Sequence, residues 1–153
     1  MRSFWSIFLL AALAPMVTMR ADRVPVSLSV ISVAPAEASI YVGRLTVTPD
    51  LFVRDSTGYK SNLGIDLWPF SYHEDARVAI VVGADALARL EGGQAIEFSG
   101  RITRRNGQTR PISGRAVPTS PEAGKLFVRV YLSSQITVSF STTYRASTLP
   151  RPR

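Results

Sequence analysis

The residues best suited to chemistry in this chain form one short run, Ser71-Tyr72-His73-Glu74-Asp75, which holds its single histidine. An imidazole beside carboxylates has the makings of a general base, because its ordinary pKa lies near neutrality and a neighbouring carboxylate can orient it. The chain has many serines to act as nucleophile, but no G-x-S-x-G elbow to present one. A hydrolase built on His73 therefore rests on composition alone, against the plainer reading of a polar connection between strands. One histidine and no cysteine exclude zinc sites made of two histidines or of thiolates. The acidic residues do not fall at calcium-loop spacing. Asp55-Ser56-Thr57-Gly58 departs from the D-[ST]-G of aspartic proteases by placing its glycine one position late, which leaves a turn. The expectation is a non-enzymatic protein with no catalytic set, no metal site and no cofactor.

Two other groups have the chemistry of binding. Arg101, Arg104, Arg105, Arg110 and Arg115 crowd a short segment around Asn106-Gly107. Guanidinium groups pair well with phosphate and carboxylate, so a basic ribbon here suits lipid headgroups or lipopolysaccharide. A solvated, edge-protecting hairpin is the plainer reading. The second group is Trp68, Phe70 and Tyr72, at period two around Pro69. Continued as a strand they would project from one face and, if exposed, stack on sugar rings or apolar ligands. Burial in a core is the commoner fate of such side chains, and Pro69 interrupts the strand geometry.

Composition sets the frame for these groups. The chain has 153 residues and a formal charge of +7, with 16 Arg to 2 Lys. Arg2 followed by the apolar run at 4–14 (FWSIFLLAALA) reads as a signal peptide, broken by Pro15 and ending near Ala21. Removing Arg2 and Arg20 with it lowers the charge from +7 to +5, enough to draw the protein weakly to anionic surfaces. An alternative leader ends at Ala38, where Ala36-Glu37-Ala38 matches a cleavage site, with Ser27, Ser29 and Ser32 weakening its apolar stretch. Residues 4–19 are too short and too interrupted for a membrane anchor. The expected organisation is a leader at 1–21 (alternatively to 38), one β-domain at 22–146 and a loose tail at 147–153.

The elements that must position these groups are strands. Val24, Val26, Leu28 and Val30 alternate with Pro25, Ser27 and Ser29, Pro25 confining the strand to an edge or a strand start, and a break follows at 34–36. Residues 40–48 read as the next strand, 51–54 as a short one, and Leu63, Ile65 and Leu67 line one face of another. Residues 76–82 read as a central strand. Asp85 is placed to cap a short helix at 86–90, stopped by Gly92-Gly93. Ile96, Phe98 and Ile102 share a face of the strand before Asn106-Gly107. A two-residue loop there would set Phe98 across from Arg115 and mix the faces. A three-residue loop, 105–107, sets Phe98 opposite Gly114 and Ile96 opposite Ala116 and keeps one face apolar, so it is the predicted register. Gly100 and Gly114 are expected at bends or bulges. Residues 119–124 form a loop, 126–132 a strand with Leu126, Val128, Val130 and Leu132 inward, and 135–144 a cleanly alternating strand with Ile136, Val138, Phe140 and Tyr144 inward.

About eight strands with regular turn signals predict an all-β domain, an antiparallel sandwich or a small barrel with one short helix. The functional expectation is an exported, periplasmic or secreted binding protein whose partner is an anionic lipid, lipopolysaccharide or glycan. The ligand residues would be the five arginines or the three aromatics. Nucleic acid is not an expected partner, because the hairpin lacks stacking aromatics and the leader directs export. A structural subunit pairing through a sheet edge is the second expectation. A small apolar-ligand carrier is the third, should the fold prove to be a hollow barrel.

Overall fold

A computed structural model describes residues 28–147. The expected leader at 1–21, the first residues of the strand expected from Val24, and 148–153 of the expected tail lie outside the described residues. Ten strands and one helix follow in chain order: β1 Val30–Val33, β2 Ala36–Ile40, β3 Gly43–Pro49, β4 Phe52–Arg54, β5 Gly58–Trp68, β6 Tyr72–Val81, α1 Ala84–Glu91, β7 Ile96–Arg104, β8 Thr109–Ser120, β9 Ala123–Tyr131 and β10 Thr137–Ser147.

Alternation of side chains dictates the architecture. In β10, Val138, Phe140, Tyr144 and Ala146 are buried while Thr137, Ser139, Ser141, Thr143 and Arg145 are exposed. A strand with one apolar face must bury it, and a sheet can do so by curling on itself. The sheet runs β5-β4-β1-β10-β9-β8-β7-β6 and returns to β5, all antiparallel. This is a closed barrel of eight strands, which decides between the two architectures the sequence allowed. The hairpin β2-β3 extends it, with β3 pairing along Leu63 to Trp68 of β5 beyond the stretch held by β4.

Successive strands run up and down, which separates the barrel's two ends. At one end sits α1, whose Leu87 and Leu90 pack with Leu28, Tyr59, Val82, Ile96, Ala116, Tyr144 and Ala146. Leu87 is 1% exposed, so its truncation to alanine would cost about 2–5 kcal/mol. The helix spans 84–91 rather than 86–90, and Gly83, not Asp85, is its N-cap, with no side-chain hydrogen bond. Asp85 lies inside the first turn, where its charge suits the helix dipole. Gly92-Gly93 stops the helix as expected: Gly93 N donates to Leu90 O, and Gln94 N to Arg89 O, with Gly93 at φ 80°. The opposite end carries the β2–β3, β5–β6, β7–β8 and β9–β10 connections.

The β7–β8 hairpin has the predicted register. Phe98 faces Gly114 and Ile96 faces Ala116, Arg104 N donates to Gln108 O, and Gly107 has φ 83°. The roles expected of Gly100 and Gly114 differ from those found. Pairing is continuous through both, and the register shift falls instead between Pro118 and Ser120. Gly114 makes room: a Cβ there would stand 2.3 Å from Phe98 Cζ and 2.6 Å from Phe127 O.

Other boundaries moved for local reasons. The strand expected at 40–48 is two strands, β2 and β3, turned at Tyr41-Val42. Gly43 permits that turn, because its backbone passes so close to Trp68 O that any Cβ would overlap it. The break at Ala34-Pro35 is real, since proline has no N–H for the ladder. Ala34 N nonetheless donates to Thr143 O (3.0 Å), and Thr142 Oγ1 donates to Ala34 O (2.8 Å), holding the seam to β10. The loop expected at 119–124 shrinks to Pro121-Glu122. Ile136, expected inward, precedes β10 and is 56% exposed. Ser147, expected in the tail, ends β10 opposite Val30.

Candidate functional site

The barrel is hollow. A cavity of about 440 Å³ runs along its axis. Eight-stranded barrels sit at the size where side chains either just fill the interior or leave room for one small ligand. Here the inward positions are mostly medium aliphatics, among them Val33, Val47, Val78, Val128 and Val130, and small residues such as Ala36 and Ala116. Those residues cover the wall without meeting at the centre. The volume lies within the range of pockets that hold drug-sized molecules.

Polar lining gathers at the mouth, the end away from α1. Ala76 of β6 is paired with Arg104 of β7, so Arg104 shares the inward face with Ala76, Val78 and Glu74. Arg104 Nε donates to Glu74 Oε1 at 2.9 Å, Nη2 to Glu74 Oε2 at 2.8 Å and to Tyr72 Oη at 2.9 Å. Its Nη1 reaches Gln108 Oε1 at 3.3 Å, and the Tyr72 hydroxyl also donates to Glu74 Oε2. The Glu74 side chain is 13% exposed and that of Arg104 32%. Hydrogen bonds from Arg104, then from Tyr72, hold the Glu74 carboxyl below its ordinary pKa of 4.5. The same carboxylate raises the pKa of Tyr72 and of Arg104, so the guanidinium is charged at every working pH.

Arg110 is the second basic residue on the lining. It pairs across the hairpin with inward Ile102, is half-buried, and makes no hydrogen bond or ion pair among the described residues. Deep in the lumen two tyrosines break the aliphatic wall. Tyr59 Oη donates to Leu28 O at 2.6 Å, and burial raises the pKa of both Tyr59 and Tyr144.

The five arginines named from sequence do not form one ribbon. Arg101 and Arg115 are exposed on the outer wall and Arg105 at the hairpin tip, whereas Arg104 and Arg110 point into the mouth. The three aromatics also part. Trp68 is 73% and Phe70 59% exposed on the β5–β6 turn, while Tyr72 lines the mouth. The turn between β5 and β6, with Ser71 at φ 48°, ends the period-two geometry that would have aligned them. Burial, the commoner fate of large aromatics, is not theirs. Tyr41 and Val42 on the β2–β3 turn are exposed at the same rim.

His73 faces outward, directly across from Asp66 in the ladder. Its Nδ1 lies 2.8 Å from Asp66 Oδ1 and its Nε2 3.5 Å from Asp75 Oδ1. Asp66 raises its pKa above 6.5, with a lesser push from Asp75. Both ring nitrogens thus face carboxylates, Nδ1 in a hydrogen bond to Asp66 and Nε2 in a longer ion pair with Asp75. No group of three His, Cys, Asp or Glu able to hold a metal occurs among the described residues.

Sequence reasoning missed Glu74 as a mouth residue and placed Arg104 and Arg110 outside. The signal was present as parity: 104 follows 96, 98 and 102 on the apolar face, and 110 precedes 112, 114 and 116. Comparison of the chain with protein-family models, with curated proteins and with solved structures finds no match in any of the three.

Proposed function

We propose that this barrel is a non-enzymatic binding protein that takes one small apolar ligand into its lumen. The observation that carries the reading is the 440 Å³ cavity with its aliphatic lining and single polar end. Apolar surface in contact with water is unfavourable by roughly 25 cal/mol per Å², and a ligand that covers it recovers that free energy. The charge pattern agrees. Lys60, Arg77, Arg101, Arg115, Lys125, Arg129 and Arg145 are exposed on the outer wall, so the apolar face is the inner one, the reverse of a barrel that spans lipid. The leader at 1–21 supports a site of action outside the cytoplasm.

The test is a lumen-filling substitution, Val78→Phe, followed with an apolar dye whose fluorescence rises on burial. Filling an empty cavity leaves stability unchanged or raises it, while the same change in a packed core costs about 1–3 kcal/mol. We expect dye binding in the wild type, its loss in Val78→Phe, and no fall in the urea midpoint. Equal dye binding in both proteins, or a sharply destabilised variant, would overturn the hollow-lumen reading.

A second reading, engagement of an anionic envelope lipid surface, is favoured by one observation. The mouth end bears Trp68, Phe70, Tyr41 and Val42 exposed together with Arg105. Tryptophan and tyrosine favour the headgroup level of bilayers, and arginine is drawn to anionic lipid. Flotation with phosphatidylglycerol vesicles should recover the wild type at low salt and recover less of a Trp68→Ser/Phe70→Ser/Arg105→Ser variant. Equal recovery of the two would remove the rim from consideration.

A further inference from the structure

We infer that the ligand is a single-chain amphiphile with a monoanionic head, bound tail-first so that the head sits against Arg110 at the mouth. The inference rests on the lumen reading and names its ligand class. The lining has two guanidinium groups, Arg104 and Arg110, and one carboxylate, Glu74. Glu74 is committed to Arg104, whose remaining donors go to Tyr72 and Gln108. That cluster is hydrogen-bonded within itself. Arg110 is not part of it, and the inward face of the mouth is left with a net charge of about +1.

Register makes the imbalance sharper. Arg104 stands opposite Gln108 at the end of the hairpin and Arg110 opposite Ile102, so the two arginines are diagonal neighbours on one face. Diagonal positions lie about 7–8 Å apart, and like charges there repel. Arg110 is also half-buried, flanked along its strand by Ile112, which reduces its access to water. A single anion beside Arg110 relieves the repulsion and supplies charge-assisted hydrogen bonds, which are about twice as strong as neutral ones. A cationic head would add a third like charge, and a neutral head would leave Arg110 as it is.

The rest of the lumen selects the tail. From the mouth to Leu87 and Leu90 the lining is aliphatic or aromatic apart from the tyrosine hydroxyls and Thr142, whose hydroxyl donates to Ala34 O. Along β7 the distance from Arg104 to Ile96 is about 27 Å of strand, or roughly 20 Å along a barrel axis at the usual tilt. A narrow tube of that depth, closed by a helix, admits an extended alkyl chain more readily than a wide fused-ring molecule.

The experiment uses the full chain without its leader and displaces the apolar dye with dodecanoate, dodecanol and dodecyltrimethylammonium, each below its aggregation threshold. Dodecanoate is expected to bind at least about tenfold tighter than dodecanol, with the cation weakest. Arg110→Gln should erase the preference for the acid while keeping the affinity for the alcohol, and Arg110→Lys should keep most of the preference. Glu74→Gln, which frees Arg104, should widen it. Equal affinities for acid and alcohol in the wild type would overturn the head-group inference and leave the lumen reading standing. An unchanged acid preference in Arg110→Gln would do the same. Displacement by none of the three, together with unaltered dye binding in Val78→Phe, would overturn both.

Discussion

At the residue scale, the two ionic clusters near the mouth differ by which face of the strand they occupy. Glu74 and His73 are sequence neighbours, yet one points inward and the other out, because successive strand residues alternate. Glu74 has its folded pKa lowered, chiefly by Arg104, so its contribution to stability is full above the unfolded carboxyl value and is lost as pH falls through the folded value. His73 has its folded pKa raised, chiefly by Asp66, so its contribution is full below 6.5 and is lost as pH rises through the folded value. The His73 ring is 59% exposed, which screens that contribution and keeps it small. A proton titration of the His73 ring followed by NMR should give a value above 6.5, and Asp66→Asn should bring it down towards the ordinary one. An unmoved titration in Asp66→Asn would mean that the pair seen in the ladder does not persist in solution. The run that best suggested catalysis thus resolves into an outer ion pair and an inner one. Composition singled out its residues, but only strand parity could tell their roles apart.

At the scale of elements, the β7–β8 hairpin shows how far a sequence can be read and where the reading stops. Its register follows from one requirement, that Ile96, Phe98 and Ile102 meet apolar or small partners across the strand, and the structure has that register. Applied one residue further, the same parity would have turned Arg104 and Arg110 inward and disclosed the charged mouth. Other boundaries were not legible. Nothing in the alternation of residues 40–48 marks a turn at Tyr41-Val42, because the need for Gly43 arises from Trp68, which is remote in sequence and adjacent only in the fold. Sandwich and barrel share one strand pattern, so closure between β5 and β6 and β5 and β4 was equally invisible. Gly114 offers a test of the hairpin. Gly114→Val would drive a side chain into Phe98 and the Phe127 carbonyl, both nearer than a real Cβ tolerates. Overpacking of this kind costs about 1–3 kcal/mol, and backbone on one side leaves little room to relax. The urea midpoint should fall with little change in slope. A Gly114→Val protein as stable as the wild type would mean that Phe98 does not pack across that position.

For the whole molecule, closure is what makes a lumen, and closure depends on the shortest strands. β1 has four residues, yet it bridges β4 on one side and β10 on the other. Leu28 and Val30 are 1% and 2% exposed, and Leu28, with Ile31 and Val33 of β1, packs into the core beside α1. Without β1 the edges of β4 and β10 would be bare, and an open edge over an apolar interior is a template for pairing with other chains. This bears on the two leader boundaries expected from sequence. A chain starting at Asp22 keeps β1 and β2 whole. One starting at Ser39 loses β1, nearly all of β2 and the seam from Ala34 to Thr142 and Thr143. Loss of two near-fully buried aliphatic side chains alone removes about 3–6 kcal/mol, a large part of the roughly 5–15 kcal/mol that stabilises a domain. We therefore expect residues 22–153 to unfold cooperatively and to bind the apolar dye in the lumen. Residues 39–153 should sediment as aggregates or show no cooperative transition. A monomeric, cooperatively folding 39–153 protein would show that the barrel closes without β1, and the lumen's wall would then need another strand to complete it.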